Sequence, residues 1–79
     1  MMNVIVSVKL LTMDQINNLY KLVATTWKLQ AYYQGHLGHI DSILIKGISQ
    51  DQLYILRKKL AVTYDLNKVT VPTGHIRVL

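Results

Sequence analysis

Two stretches of this chain repeat one another in phase, and that limits what it can fold into more than any other feature. VSVKLLTMDQINNLYKLVATTWKL, from Val6 to Leu29, aligns with ILIKGISQDQLYILRKKLAVTYDL, from Ile43 to Leu66. Lys9 meets Lys46, Asp14 meets Asp51, Gln15 meets Gln52, Leu19 meets Leu56 and Ala24 meets Ala61. Self-similarity at a fixed offset is the signature of a repeated structural unit. Each unit opens on an alternation. Val4, Val6 and Val8 interleave with Ile5, Ser7 and Lys9, while Ile43 and Ile45 interleave with Ser42, Leu44 and Lys46. A period of two predicts a strand with one buried face.

A helix is expected next in each unit. Thr12-Met13-Asp14-Gln15 and Ser49-Gln50-Asp51-Gln52 both fit a capping box, in which the hydroxyl accepts from the N3 amide and the glutamine reaches back to the cap amide. Leu11 with Ile16, and Ile48 with Leu53, supply the flanking hydrophobic staples. Asp14 and Asp51 fall in first turns, where the helix dipole favours an anion. The apolar stripes are Ile16, Leu19, Tyr20, Val23 and Trp27 on the first helix, and Leu53, Leu56, Leu60 and Tyr64 on the second. Further strands are predicted from Leu29 to Gln34 and from Asn67 to Val71, the last continuing toward Leu79 with a bend at Pro72 and Gly74.

The order β-α-β-β-α-β resembles the ferredoxin-like split βαβ pattern. It implies an α+β sandwich, an antiparallel four-stranded sheet with two helices on one face and an internal pseudo-two-fold repeat. With 79 residues the chain makes one domain, residues 1–79, whose halves run over about 3–36 and 40–79.

Composition removes several kinds of chemistry. There is no cysteine, which excludes disulfides, thiolate zinc sites and a cysteine nucleophile. Hydrophobic residues make up 51% of the chain, enough for a packed core, yet no apolar run approaches the roughly 18 residues of a membrane span. MMNVIVSVKLL reads as a strand rather than a leader, so the expected location is cytoplasmic. All four acidic residues are Asp, against nine Lys and Arg, for a net charge of +5 that favours acidic partners.

His36, His39 and Asp41 form a His-x-x-His-x-Asp run, echoed by Gly74-His75. A metal site wants three or four converging ligands, whereas extended backbone turns His36 and His39 to opposite faces and the pseudo-two-fold separates the two Gly-His loops. The glycines are expected to serve a turn. Ser42, Asp41 and His39 are the sole cluster with a nucleophile and a base, and neighbouring strand residues point apart. No Gly-rich loop joins a strand to a helix. The acylphosphatase family, which shares the ferredoxin-like pattern, places an Arg and an Asn in an early loop where this chain has Lys9-Leu10-Leu11-Thr12. No catalytic, metal or cofactor residue is assigned, and the chain is expected not to be an enzyme.

The side of the sheet away from the helices carries the remaining expectation. Ile5, Ser7, Lys9, Ser42, Leu44 and Lys46 should point there, joined by Tyr32 or Tyr33 from an edge strand. Isoleucine, leucine and tyrosine ringed by lysine and serine suggest a protein contact. The expected function is a small protein-binding module, a regulator or inhibitor, that acts through this face or an edge strand and pairs as a homodimer. One alternative is RNA or DNA binding through Lys9, Lys46, Arg57, Lys58 and Lys59. The sheet-stacking mode of RNA-binding domains lacks its central-strand aromatics here. The other is a small-molecule-sensing dimer.

Overall fold

The structure, a computed structural model, describes residues 1–64 and 69–79, with side chains up to residue 61 and from residue 72. Its elements are β1 (Met2–Ser7), α1 (Met13–Lys21), β2 (Gln30–His36), β3 (His39–Ile48), α2 (Gln50–Lys59), β4 (Ala61–Tyr64), β5 (Val69–Pro72) and β6 (Ile76–Val78). A π-helical stretch from Leu22 to Thr26 extends α1. The result is a small α+β structure around an antiparallel four-stranded sheet in the order β2-β3-β1-β6.

Both helices begin where the capping chemistry puts them. Gln15 N donates to Thr12 Oγ1 at 3.2 Å and Thr12 N to Gln15 Oε1 at 2.9 Å. Gln52 N donates to Ser49 Oγ at 3.2 Å and Ser49 N to Gln52 Oε1 at 3.0 Å. These bonds satisfy amides that the first turn of a helix otherwise leaves without a partner. The first helix ends differently. Trp27 N donates to Leu22 O, five residues back, and Leu29 N to Val23 O, while Lys28 takes a left-handed φ of 56°. That left-handed residue turns the chain out of the helix and into β2.

The predicted alternation packs the core. Val4, Val6 and Val8 from the first strand region meet Ile43, Ile45 and Ile48 from β3, and Ile16, Leu19, Val23, Leu53, Leu56 and Leu60 from the helices close over them. All twelve are buried, and each contributes on the order of 1.5–3 kcal/mol by leaving water. The β1–β3 register slips between Met2 and Val4, opposite Gly47, and the slip turns Ile48 toward the core. Tyr20, Trp27, Leu29 and Ile76 are partly buried around this centre.

The strand order departs from the βαββαβ expectation after α2. Among the described residues there are six strands rather than four, and the ferredoxin-like order is not matched as such. The second helix ends at Lys59, so Tyr64, placed on its apolar stripe by spacing, belongs to β4 instead. Strands β4 and β5 form a separate antiparallel pair, Ala61 opposite Pro72 and Tyr64 opposite Val69. Thr73 ties the exit of that pair to the end of α2, its amide and hydroxyl both donating to Leu60 O at 2.6 and 2.7 Å. The expected strand start at Asn67 lies outside the described residues, as does Leu66. The aligned residues Ala24 and Ala61 fall in a π-helix and a strand, so the sequence repeat is not carried as a structural one through these segments.

Candidate functional site

Because Val4, Val6, Ile43 and Ile45 face the helices, the residues between them face the other way. The ladders put these residues in rows. Tyr32 lies opposite Leu44, Leu44 opposite Ile5, and Ile5 opposite Arg77, giving one row across all four strands. The next row holds Gln34, Ser42 and Ser7, with Ser42 Oγ donating to Gln34 Oε1 at 3.3 Å. On the far side Lys46 lies opposite Gln30, and its Nζ sits 5.8 Å from the Tyr32 ring centre, a cation–π distance. Ile5 and Leu44 are half-buried while Tyr32 is 48% exposed, so the row is greasy in its middle and open at its edge.

The two tyrosines divide between the faces. Tyr33 pairs with Ile43 on the helix side and stacks on Tyr20, ring centres 4.6 Å apart and 20° between planes. Desolvation in this packing, and then the neighbouring Tyr20 phenol, raise the Tyr33 pKa above its ordinary value. Tyr33 is therefore a fringe of the core as well as an edge residue, and Tyr32 is the one that joins the open face. Lys9 also differs from expectation. Strand β1 ends at Ser7, and Lys9 lies in the turn that Leu11 N closes on Val8 O at 3.1 Å. It still borders the open face, where a cleft of about 360 Å³ is lined by Ile5, Ser7, Lys9, Ser42, His75 and Arg77, with Asp41 and Ile76 beside them.

The Gly-His run is a tight hairpin. Leu37 and Gly38 are its two turn residues, both left-handed at φ 52° and 79°, and His36 faces His39 across the ladder. That is the two-residue connection whose twist matches the flanking strands. Gly35 sits so close to β3 that a Cβ there would run into the His39 carbonyl oxygen. The ladder shifts between Gln34 and Gly35, so Asp41 is the extra residue of a β-bulge. The turn and the bulge overturn two expectations. His36 and His39, expected on opposite faces of extended backbone, are opposed across the ladder and so share a face, and Asp41 pairs with His36, Nδ1 to Oδ2 at 3.2 Å. Asp41 and Ser42 also line the same cleft instead of pointing apart.

The two Gly-His loops lie at the same end of the sheet, against the separation expected of a two-fold. Ser7 N donates to His75 O at 2.8 Å, and Val8 N to Asp41 O at 3.0 Å. Among the described residues no three His or Asp side chains converge as metal ligands. The hydroxyl of Ser42 is engaged by Gln34 rather than by a histidine.

The basic residues split into two groups. Lys9, Lys46 and Arg77 surround the open face, while Arg57, Lys58 and Lys59 lie exposed on the last turn of α2, beyond the core. Lys58 Nζ there covers the Tyr54 ring at 4.9 Å. Arg77 and His75 are contributors that sequence reasoning passed over. The alternation Ile76-Arg77-Val78 was the available signal, and it needed the knowledge that β6 lies beside β1. No helix of the described residues is long and apolar enough to cross a membrane. Comparison with known proteins finds no family, no curated protein and no solved structure that matches this chain.

Proposed function

We propose that this chain is a small non-enzymatic protein-binding module, of the regulator or inhibitor kind, whose contact surface is the open side of the sheet bounded by β2. The observation that carries the reading is the row Ile5–Leu44–Tyr32, an apolar line across three strands with no helix of the described residues over it. Lys46, Arg77 and Lys9 surround the row, and a rim of cations around an apolar centre suits a protein partner with acidic residues at its own rim. The four-stranded order also supports a variant of the ferredoxin-like sandwich. In that reading β6 takes the place of the fourth strand and the β4–β5 pair is an insertion after α2.

Capture from lysate of the source cells tests the reading when wild type is compared with variants on each side. A partner should be retained by wild type and by Lys58→Glu on α2, lost by Leu44→Lys and Tyr32→Ala, and then bind wild type as a purified protein. Equal retention by all four forms would contradict it.

A second reading, nucleic-acid binding, draws support from Tyr32 standing exposed beside Lys46 on the sheet face whose far edge carries Arg77. Arg57, Lys58 and Lys59 do not extend that surface. Binding to single-stranded RNA or DNA that weakens steeply with salt and fails in Tyr32→Ala would favour it.

A further inference from the structure

Strand β2 is an edge of the four-stranded sheet. Native edges are normally blunted by lysine, proline, shortness or a covering element. From Gln30 to His36 this edge runs seven residues with no Lys, Arg, Asp, Glu or Pro, and all but Ala31 are exposed. Among the described residues no strand pairs with its outer side. The opposite edge, β6, has three residues and carries Arg77. In a chain of net charge +5, the neutral strand is where two like-charged copies can approach most closely.

We infer that β2 pairs antiparallel with β2 of a second copy, centred on Tyr32, joining two sheets into one of eight strands. The inference rests on the sheet-side reading above and names one occupant of that surface. Opposed residues in an antiparallel pair share a face, so a two-fold axis perpendicular to the sheet must set one residue against its own copy. Centring on Tyr32 sets Gln30 opposite Gln34 of the second copy and small Ala31 opposite large Tyr33. It uses only the regular part of the strand, short of the register shift after Gln34. Centring on Tyr33 instead opposes Gln30 to His36 and drives the pairing through the shift.

Backbone direction agrees with this register. The Tyr20 hydroxyl reaches the Ala31 carbonyl oxygen at 3.5 Å, a long bond made from outside the ladder. It marks Ala31, and by alternation Tyr33, as residues whose backbone groups turn outward. These are the residues the Tyr32-centred register opposes, so each can exchange hydrogen bonds with the other's copy. A carbonyl oxygen has a second lone pair, so the Tyr20 contact does not block it. On the open face the rows merge into one apolar line, Ile5–Leu44–Tyr32 running into its own mirror order.

Sedimentation of the full chain and a single-cysteine scan test this together, since the chain has no cysteine of its own. The expected result is a dimer in which Tyr32→Cys cross-links to itself under mild oxidation, its Cβ atoms about 4.5–5.5 Å apart. Ala31→Cys and Gln34→Cys should not self-link, whereas Gln30→Cys mixed with Gln34→Cys should. Ala31→Pro removes an outward amide and should shift the dimer to monomer by at least tenfold in dissociation constant, with unchanged circular dichroism. Equal cross-linking along the scan, or a dimer that survives Ala31→Pro in folded protein, would overturn the register. A chain that stays monomeric yet captures a partner through Tyr32 and Leu44 would overturn self-pairing and leave the protein-binding reading standing.

Discussion

Leu37 is the residue most at odds with its own conformation. It is 89% exposed, so it contributes nothing to the core, and it holds a left-handed φ of 52° in the hairpin turn. A left-handed backbone costs an ordinary L-residue roughly 1–2 kcal/mol, and less for asparagine. Leu37→Asn converts the turn to Asn-Gly, the pair this turn type prefers, and should raise unfolding free energy by about 0.5–1 kcal/mol in urea titration. Tyr33 makes a prediction in pH. Desolvation first, then Tyr20, raise its pKa above 10.0, so the folded state favours the neutral phenol. The associated stability is full below the ordinary value and is lost as pH rises through the raised one. Tyr33→Phe keeps the stack on Tyr20 and should show a shallower loss of stability above pH 10.0 than wild type. Equal slopes would contradict this.

At the scale of elements, what was legible in the sequence was local. The strand phases of β1 and β3 and both helix starts follow from neighbours within four residues, and the capping boxes are present bond for bond. Thr12→Ala and Ser49→Ala should therefore each cost about 1 kcal/mol, and the double variant about their sum, because the caps belong to different helices. A non-additive double variant would show that the two helix starts are coupled. What was not legible depended on interruptions. Leu53, Leu56, Leu60 and Tyr64 keep helical spacing, which hid the strand tendency of the β-branched Val62 and Thr63, so β4 read as helix. The pairing of His36 with Asp41 was hidden by a bulge, because alternation along a strand assumes that no residue is added. Long-range neighbours were hidden too. Nothing near Arg77 in sequence says that it will face Ile5.

For the whole molecule the two sides differ in kind. The helix side closes the core and ends in the exposed cations of α2. The sheet side leaves the Ile5–Leu44–Tyr32 row in the open and ends at a neutral edge whose outer side pairs with no strand among the described residues. Alternation gave the side of the sheet, since Ile5, Ser7, Ser42, Leu44 and Lys46 keep strand parity away from the helices, and Tyr32 rather than Tyr33 lies beside them. The proposal that proteins meet this chain on the sheet side is tested most directly by amide hydrogen exchange, read residue by residue in the dilute monomer and in the assembled state, whether with itself or with a captured partner. Exchange should slow at Ala31 and Tyr33 on assembly, with Arg57, Lys58 and Lys59 unchanged. Slowing confined to α2, with the β2 amides exchanging as before, would contradict it.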